Sequence, residues 1–164
     1  MKLKIYDFKG DQNYNNINFE VEKIDDLDLK SPLKINFSLK RAFVEEVGDV
    51  FEINIRYSCQ IKVECVRCLK VIIQNLSGDF ESKFIDSKNY KRLTKQLDSE
   101  IEIEPDLFEE AHDGEIDVVE LVREQILLEV NLYPVCSVSC EDDSEIEKYK
   151  DNGIDQRWAK LLEL

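Results

Sequence analysis

The chain has 164 residues, 43% hydrophobic and 35% charged, with a formal net charge of −14 and a pI near 4.5. This length can bury a core without disulfides, and the composition excludes a disordered chain. Such an acidic protein is repelled by the phosphate backbone, so nucleic-acid binding through bulk charge is excluded.

Leu3 to Phe8 and Ile17 to Val21 are short apolar segments expected to add edge strands. Ile35, Phe37 and Leu39 alternate with polar residues, and Phe43 and Val44 extend the pattern with a shift. Val47-Gly48-Asp49 is expected to be the hairpin turn that follows. From Phe51 to Cys65 every odd position is apolar, aromatic or cysteine, with a polar residue between each pair. That alternation predicts a long strand with one buried and one wet face. Ile72, Leu76, Phe80 and Phe84 share even positions, as one strand face requires, although a spacing of four also suits a helix. Read as strands, these segments form an antiparallel meander.

The second half is acidic. Through Tyr90 there are 14 basic and 15 acidic residues, and from Lys91 onward 8 and 21, so net charge falls from −1 to −13. No Gly/Ser/Pro-rich linker separates the halves, so the asymmetry marks two surfaces of one domain spanning 1–164. Between Asp98 and Glu115 the expectation is a short strand at Ile101-Glu102-Ile103-Glu104-Pro105 and otherwise loop. Asp117 and Glu120 form a partial capping box. Val119, Val122, Ile126 and Val130 then recur at helical spacing, which predicts a helix of about four turns ending before Pro134. A last short helix is expected over Gln156 to Leu164, capped by Asp155 and docked through Trp158, Leu161 and Leu162. The fold class expected is therefore α+β: an antiparallel meander or partly open barrel, one main helix and a short C-terminal helix.

Five cysteines carry the chemistry. Cys65 and Cys68 form a C-x2-C pair at the end of the long strand, and Cys136 and Cys140 a C-x3-C pair after the helix. Two close pairs with a long insert are the layout of a four-cysteine zinc knuckle, here joining sheet and helix segments. Two other readings stand beside it. Free cysteines can be ordinary core residues, which suits Cys59 on the apolar strand face. A C-x2-C pair can also be a redox dithiol, but that chemistry wants the N-terminus of a helix.

His112, the only histidine, sits among carboxylates as a solvated loop residue. There is no P-loop, G-x-G-x-x-G, G-x-S-x-G or H-E-x-x-H motif, so no enzyme class is indicated. The candidate nucleic-acid face is the wet side of the long strands, with Lys34, Lys40, Arg41, Arg56 and Lys62. An ordinary polar sheet face accounts for the same residues. No run approaches the roughly 18 apolar residues of a transmembrane helix. Lys2, Lys4 and Asp7 interrupt the region where a signal peptide needs an apolar run, so a cytoplasmic location is expected.

Val63-Glu64-Cys65-Val66-Arg67-Cys68-Leu69 resembles the C-x-R-C-L signature of the YceD-like proteins, the large ribosomal RNA subunit accumulation proteins. Leu132-Tyr133-Pro134-Val135-Cys136-Ser137-Val138-Ser139-Cys140 resembles that family's second cysteine segment. Asp155-Gln156-Arg157-Trp158-Ala159-Lys160-Leu161 resembles its terminal D-P-R-W-x-x-L element, with Gln156 in place of proline. Many members carry further cysteines after the second pair, where this chain has Glu141-Asp142-Asp143-Ser144. The resemblance implies a non-enzymatic ribosome-assembly factor without a small-molecule substrate. Its expected partner is a ribosomal protein or the pre-ribosomal particle of the large subunit, with a local RNA contact. Arg67, Arg157, Arg56 and Lys62 are the candidate partner-binding residues, and Cys65, Cys68, Cys136 and Cys140 the candidate zinc ligands. A redox-sensitive zinc thiol switch or chaperone is the alternative, and a hydrolase using the acidic loop a third.

Overall fold

The computed structural model describes residues 1–8, 13–95 and 107–136. The elements in chain order are β1 (Lys2–Lys4), β2 (Tyr14–Val21), β3 (Leu29–Val44), β4 (Gly48–Glu64), β5 (Val71–Asp86), α1 (Ser87–Lys95), β6 (Glu109–Ala111), β7 (Glu115–Asp117) and α2 (Val118–Glu129). The chain divides into two compact units, one of Met1–Lys62 with Ile73–Val130 and one of Val63–Ile72 with Asn131–Leu164.

The first unit is built on an open five-stranded sheet in the order β2-β3-β4-β5-β6. Alternation in β3 and β4 makes it one-sided. Ile35 pairs with Tyr57, Phe37 with Ile55 and Leu39 with Ile53, which puts the odd residues of both strands on one face. All six are at most 2% exposed. Phe19 of edge strand β2 adds an edge-to-face contact to Phe37, with ring centroids 6.1 Å apart. The ambiguous segment after Ile72 is strand β5. Gln60 reaches Asn75 across the β4–β5 pair at 2.8 Å, on the wet face.

At the hairpin end both faces are covered. Consecutive residues Val50 and Phe51 are both buried, because Val50 packs with Val47, Ile85 and Leu93 of α1 in a second apolar cluster. The hairpin turn itself comes earlier than expected. Val44 pairs with Gly48, so Glu45 to Val47 form the turn and Gly48 opens β4 at φ +101°.

Helix α1 was not legible as a helix, since Tyr90 and Leu93 are its only large apolar residues. Its start is local chemistry: Asp86 Oδ1 accepts the backbone N–H groups of Lys88 and Asn89 at 2.8 and 2.9 Å. The helix also lets the chain cross back, and β6 pairs parallel with the end of β5, Phe84 opposite Glu109. The stretch read as loop therefore contains a parallel edge strand and the start of β7, while the expected strand from Ile101 to Pro105 lies outside the described residues.

β1 is shorter than the expected Leu3 to Phe8 strand and pairs with β7 in a separate two-stranded sheet. Asp117 caps α2 by accepting from Val119 N at 3.1 Å and Glu120 N at 3.4 Å, and it also binds the N-terminal amine at 3.3 Å. The reciprocal half of a capping box is not what Glu120 makes; its carboxylate accepts from Arg123 at 2.8 Å. α2 buries Val118, Val122 and Ile126, one stripe at a spacing of four. It runs twelve residues, just over three turns, so it stops a turn short of the expected length. The expected C-terminal helix, with Trp158, lies outside the described residues. No helix among the described residues is long and apolar enough to cross a membrane.

Candidate metal centre

The knuckle is made where β4 ends. Cys65 follows the strand, a turn covers Val66 to Cys68, and the chain re-enters extended structure at Val71. Two backbone bonds close this loop, Cys65 N–H to the Lys70 carbonyl and Leu69 N–H to the Cys65 carbonyl, both 2.9 Å. The second cysteine segment is stitched to it by the Val66 N–H, which donates to the Pro134 carbonyl at 2.9 Å. Pro134 itself is buried, and Tyr133 N–H is turned by Asn131 Oδ1 at 3.0 Å.

These contacts bring together the sulfurs of Cys65, Cys68 and Cys136, all within 4.8 Å of one another. Two sulfurs at about 2.3 Å from a tetrahedral zinc stand roughly 3.8 Å apart. Cys68 and Cys136 stand at 3.7 Å, so the donor set fits a thiolate-bound metal. The four described cysteines are free thiols. Cys140, the expected fourth ligand, lies outside the described residues. Cys59 is buried in the core face of β4 and is not part of the group, as its place in the alternation requires. The C-x2-C pair sits on a strand end and a turn and not at a helix N-terminus, which removes the geometric basis of a thioredoxin-type dithiol.

The electrostatics favour a thiolate. Backbone N–H groups of Cys68 and Arg67 aimed at the Cys65 sulfur hold its pKa down to about 6 against an ordinary 9.0; burial opposes them, and the Cys136 backbone adds to the lowering. Because the folded value is the lower one, the stability this contributes to the metal-free protein is present above pH 9.0 and is lost as pH falls through about 6. A pH titration of thiolate absorbance on metal-free protein is expected to show a step near 6 that Cys65→Ser abolishes.

Leu69 closes the knuckle in the left-handed region at φ 60° while its side chain is 70% exposed. A non-glycine residue there costs about 1–2 kcal/mol, and a side chain this exposed among the described residues regains little of it by burial. Leu69→Gly is expected to raise stability by about 1 kcal/mol, read from the chemical denaturation midpoint.

The predicted partner-binding residues are spread out. Arg67 is exposed in the knuckle turn, and Arg56 is exposed on the wet face of β4. Lys62 is held by Asp28 at 3.0 Å, and Arg41 forks onto Asp49 at 3.0 and 2.7 Å. Two of the five cations of the candidate nucleic-acid face are thus neutralised locally. Arg157 lies outside the described residues. His112 is exposed beside Glu110, 3.8 Å away. The sequence reading missed the Pro134 carbonyl that ties the two cysteine segments; its signal was the proline two residues before Cys136.

No curated protein and no solved structure matches the chain. A family model, described as large ribosomal RNA subunit accumulation protein YceD, matches residues 53–164. That span is more than half of the chain and holds all three segments that carry the resemblance, so the chain belongs to the YceD family of large ribosomal RNA subunit accumulation proteins.

Proposed function

We propose that this protein is a non-enzymatic, cytoplasmic factor in assembly of the large ribosomal subunit, and that Cys65, Cys68, Cys136 and Cys140 hold one structural zinc ion. The observation that carries the reading is the family match across both cysteine segments. The family's description concerns accumulation of large-subunit ribosomal RNA, which is what an assembly factor protects. Zinc is favoured over other metals because an all-thiolate donor set suits a soft, tetrahedral site. Four cysteines would fill the shell and leave no open position for a substrate, so the metal's role would be to hold the knuckle together.

The direct partner is a basic protein of the large-subunit precursor. A net charge of −14 opposes bare RNA and steers a cationic protein toward the acidic half. RNA contact would then be local, through Arg67, Arg157, Arg56 and Lys62. The tagged chain is expected to sediment with large-subunit precursors. It should capture a basic ribosomal protein that survives nuclease treatment at physiological salt. Loss of every partner on nuclease treatment would contradict the protein contact. Zinc-edge X-ray absorption should return a shell of sulfur at about 2.3 Å; a shell of nitrogen and oxygen would contradict the four-cysteine site.

A further inference from the structure

In the first unit, a groove of about 590 Å³ opens between β7, the start of α2 and the β5–β6 edge. Its floor is apolar: Phe84, Phe108, Ile116 and Leu121. Phe108 and Leu121 are only partly buried, so apolar surface faces the opening. Its rim is acidic. Among its carboxylates, Glu115 is taken by Lys2 at 3.2 Å, Asp117 by the N-terminal amine and Glu120 by Arg123. Glu109, Asp113 and Glu124 make no ion pair among the described residues. Among the described residues, Lys2 is the only lysine or arginine lining the groove, and His112 sits beside Glu110.

We propose that this groove docks a short Lys/Arg-rich segment of the protein partner, with one apolar side chain seated on Phe108 and Leu121. The proposal deepens the assembly-factor reading and rests on it. An apolar floor of this size takes a large side chain, and the three carboxylates around it that make no ion pair among the described residues match cations flanking that side chain. A nucleic-acid strand would bring its phosphates against the same carboxylates, so the rim selects protein over RNA. Tyr90, which also lines the groove, can stack an arginine of the segment.

The test uses a labelled Lys/Arg-rich peptide with one central Phe, binding being read by fluorescence anisotropy to the full chain. The triple variant Glu109→Gln, Asp113→Asn, Glu124→Gln is expected to weaken binding about tenfold or more. It should leave thermal unfolding unchanged, since these side chains hold no ion pair among the described residues. A control triple, Glu22→Gln, Glu45→Gln, Glu46→Gln, removes the same charge from exposed positions off the groove and should change binding by less than about twofold. Replacing the central Phe of the peptide by Ser should also weaken it. Equal loss in both triples, no effect of the Phe, or tighter binding of a single-stranded RNA oligonucleotide that the groove triple abolishes would each overturn the proposal. The assay does not touch ribosomal RNA levels, so a failed groove leaves the assembly reading standing. Failure of the assembly reading, conversely, is measured by RNA accumulation in cells.

Discussion

On the proposed four-cysteine zinc site, Cys136→Ser is expected to lower zinc affinity by more than about a hundredfold, beyond what loss of a mere supporting partner of a metal ligand costs. It removes one of three sulfurs within 4.8 Å, and the one carried by the segment that the Val66–Pro134 bond ties to the knuckle. In small metal knuckles the binding free energy is folding free energy. The variant should therefore lose zinc on purification and become open to proteolysis within Val63–Ile72. Cys59→Ala is the matched comparison. It deletes a buried thiol on the sheet face, outside the metal group, and should retain full zinc while losing about 1 kcal/mol of stability. Zinc content per chain, measured on both variants, separates the two roles. Equal zinc in Cys136→Ser and wild type would remove Cys136 from the site.

Phe37→Ala is expected to cost about 3–5 kcal/mol, a large share of the roughly 5–15 kcal/mol that holds a domain folded. Phe37 is 0% exposed, lies opposite Ile55 and meets the Phe19 ring edge-on. These neighbours sit on the strands either side of it, β2 and β4, so the cavity cannot close by one side chain shifting. Phe43, six residues along the same strand, is 74% exposed, and Phe43→Ala should stay within about 0.5 kcal/mol. Urea unfolding followed by circular dichroism checks both. A Phe37→Ala midpoint close to wild type would mean that the odd face of β3 is not the core.

These two substitutions also mark what could be read from the sequence. The alternation from Phe51 to Cys65 encodes β4 directly, because a period of two has one meaning over that length, and it places Cys59 mid-strand on the buried face, away from the strand end that carries Cys65 and Cys68. The C-x2-C pair and Cys136 could be matched because thiols have few reasons to be paired on turns.

What escaped had a different physical basis. α1 is held by an Asp86 cap and two apolar residues against the Val47 and Val50 cluster, too little for a periodicity to register. β6 pairs parallel over three residues, and a register that short leaves no alternation. The expected hairpin turn fell late because Gly48, the conspicuous turn residue, serves as the first residue of β4 in a left-handed conformation. Leu69 at positive φ carries no sequence signal, since its conformation is imposed by the two bonds that close the knuckle. The acidic groove was visible only as a charge run; its apolar floor is assembled from β5, β7, α2 and the residue before β6, which no linear pattern joins.

The central claim is that this chain supports accumulation of large-subunit ribosomal RNA, and its most direct test is the ratio of large- to small-subunit ribosomal RNA after depletion of the protein. The account predicts that the ratio falls, is restored by the wild-type chain and by Cys59→Ala, and is not restored by Cys136→Ser. An unchanged ratio on depletion would contradict it.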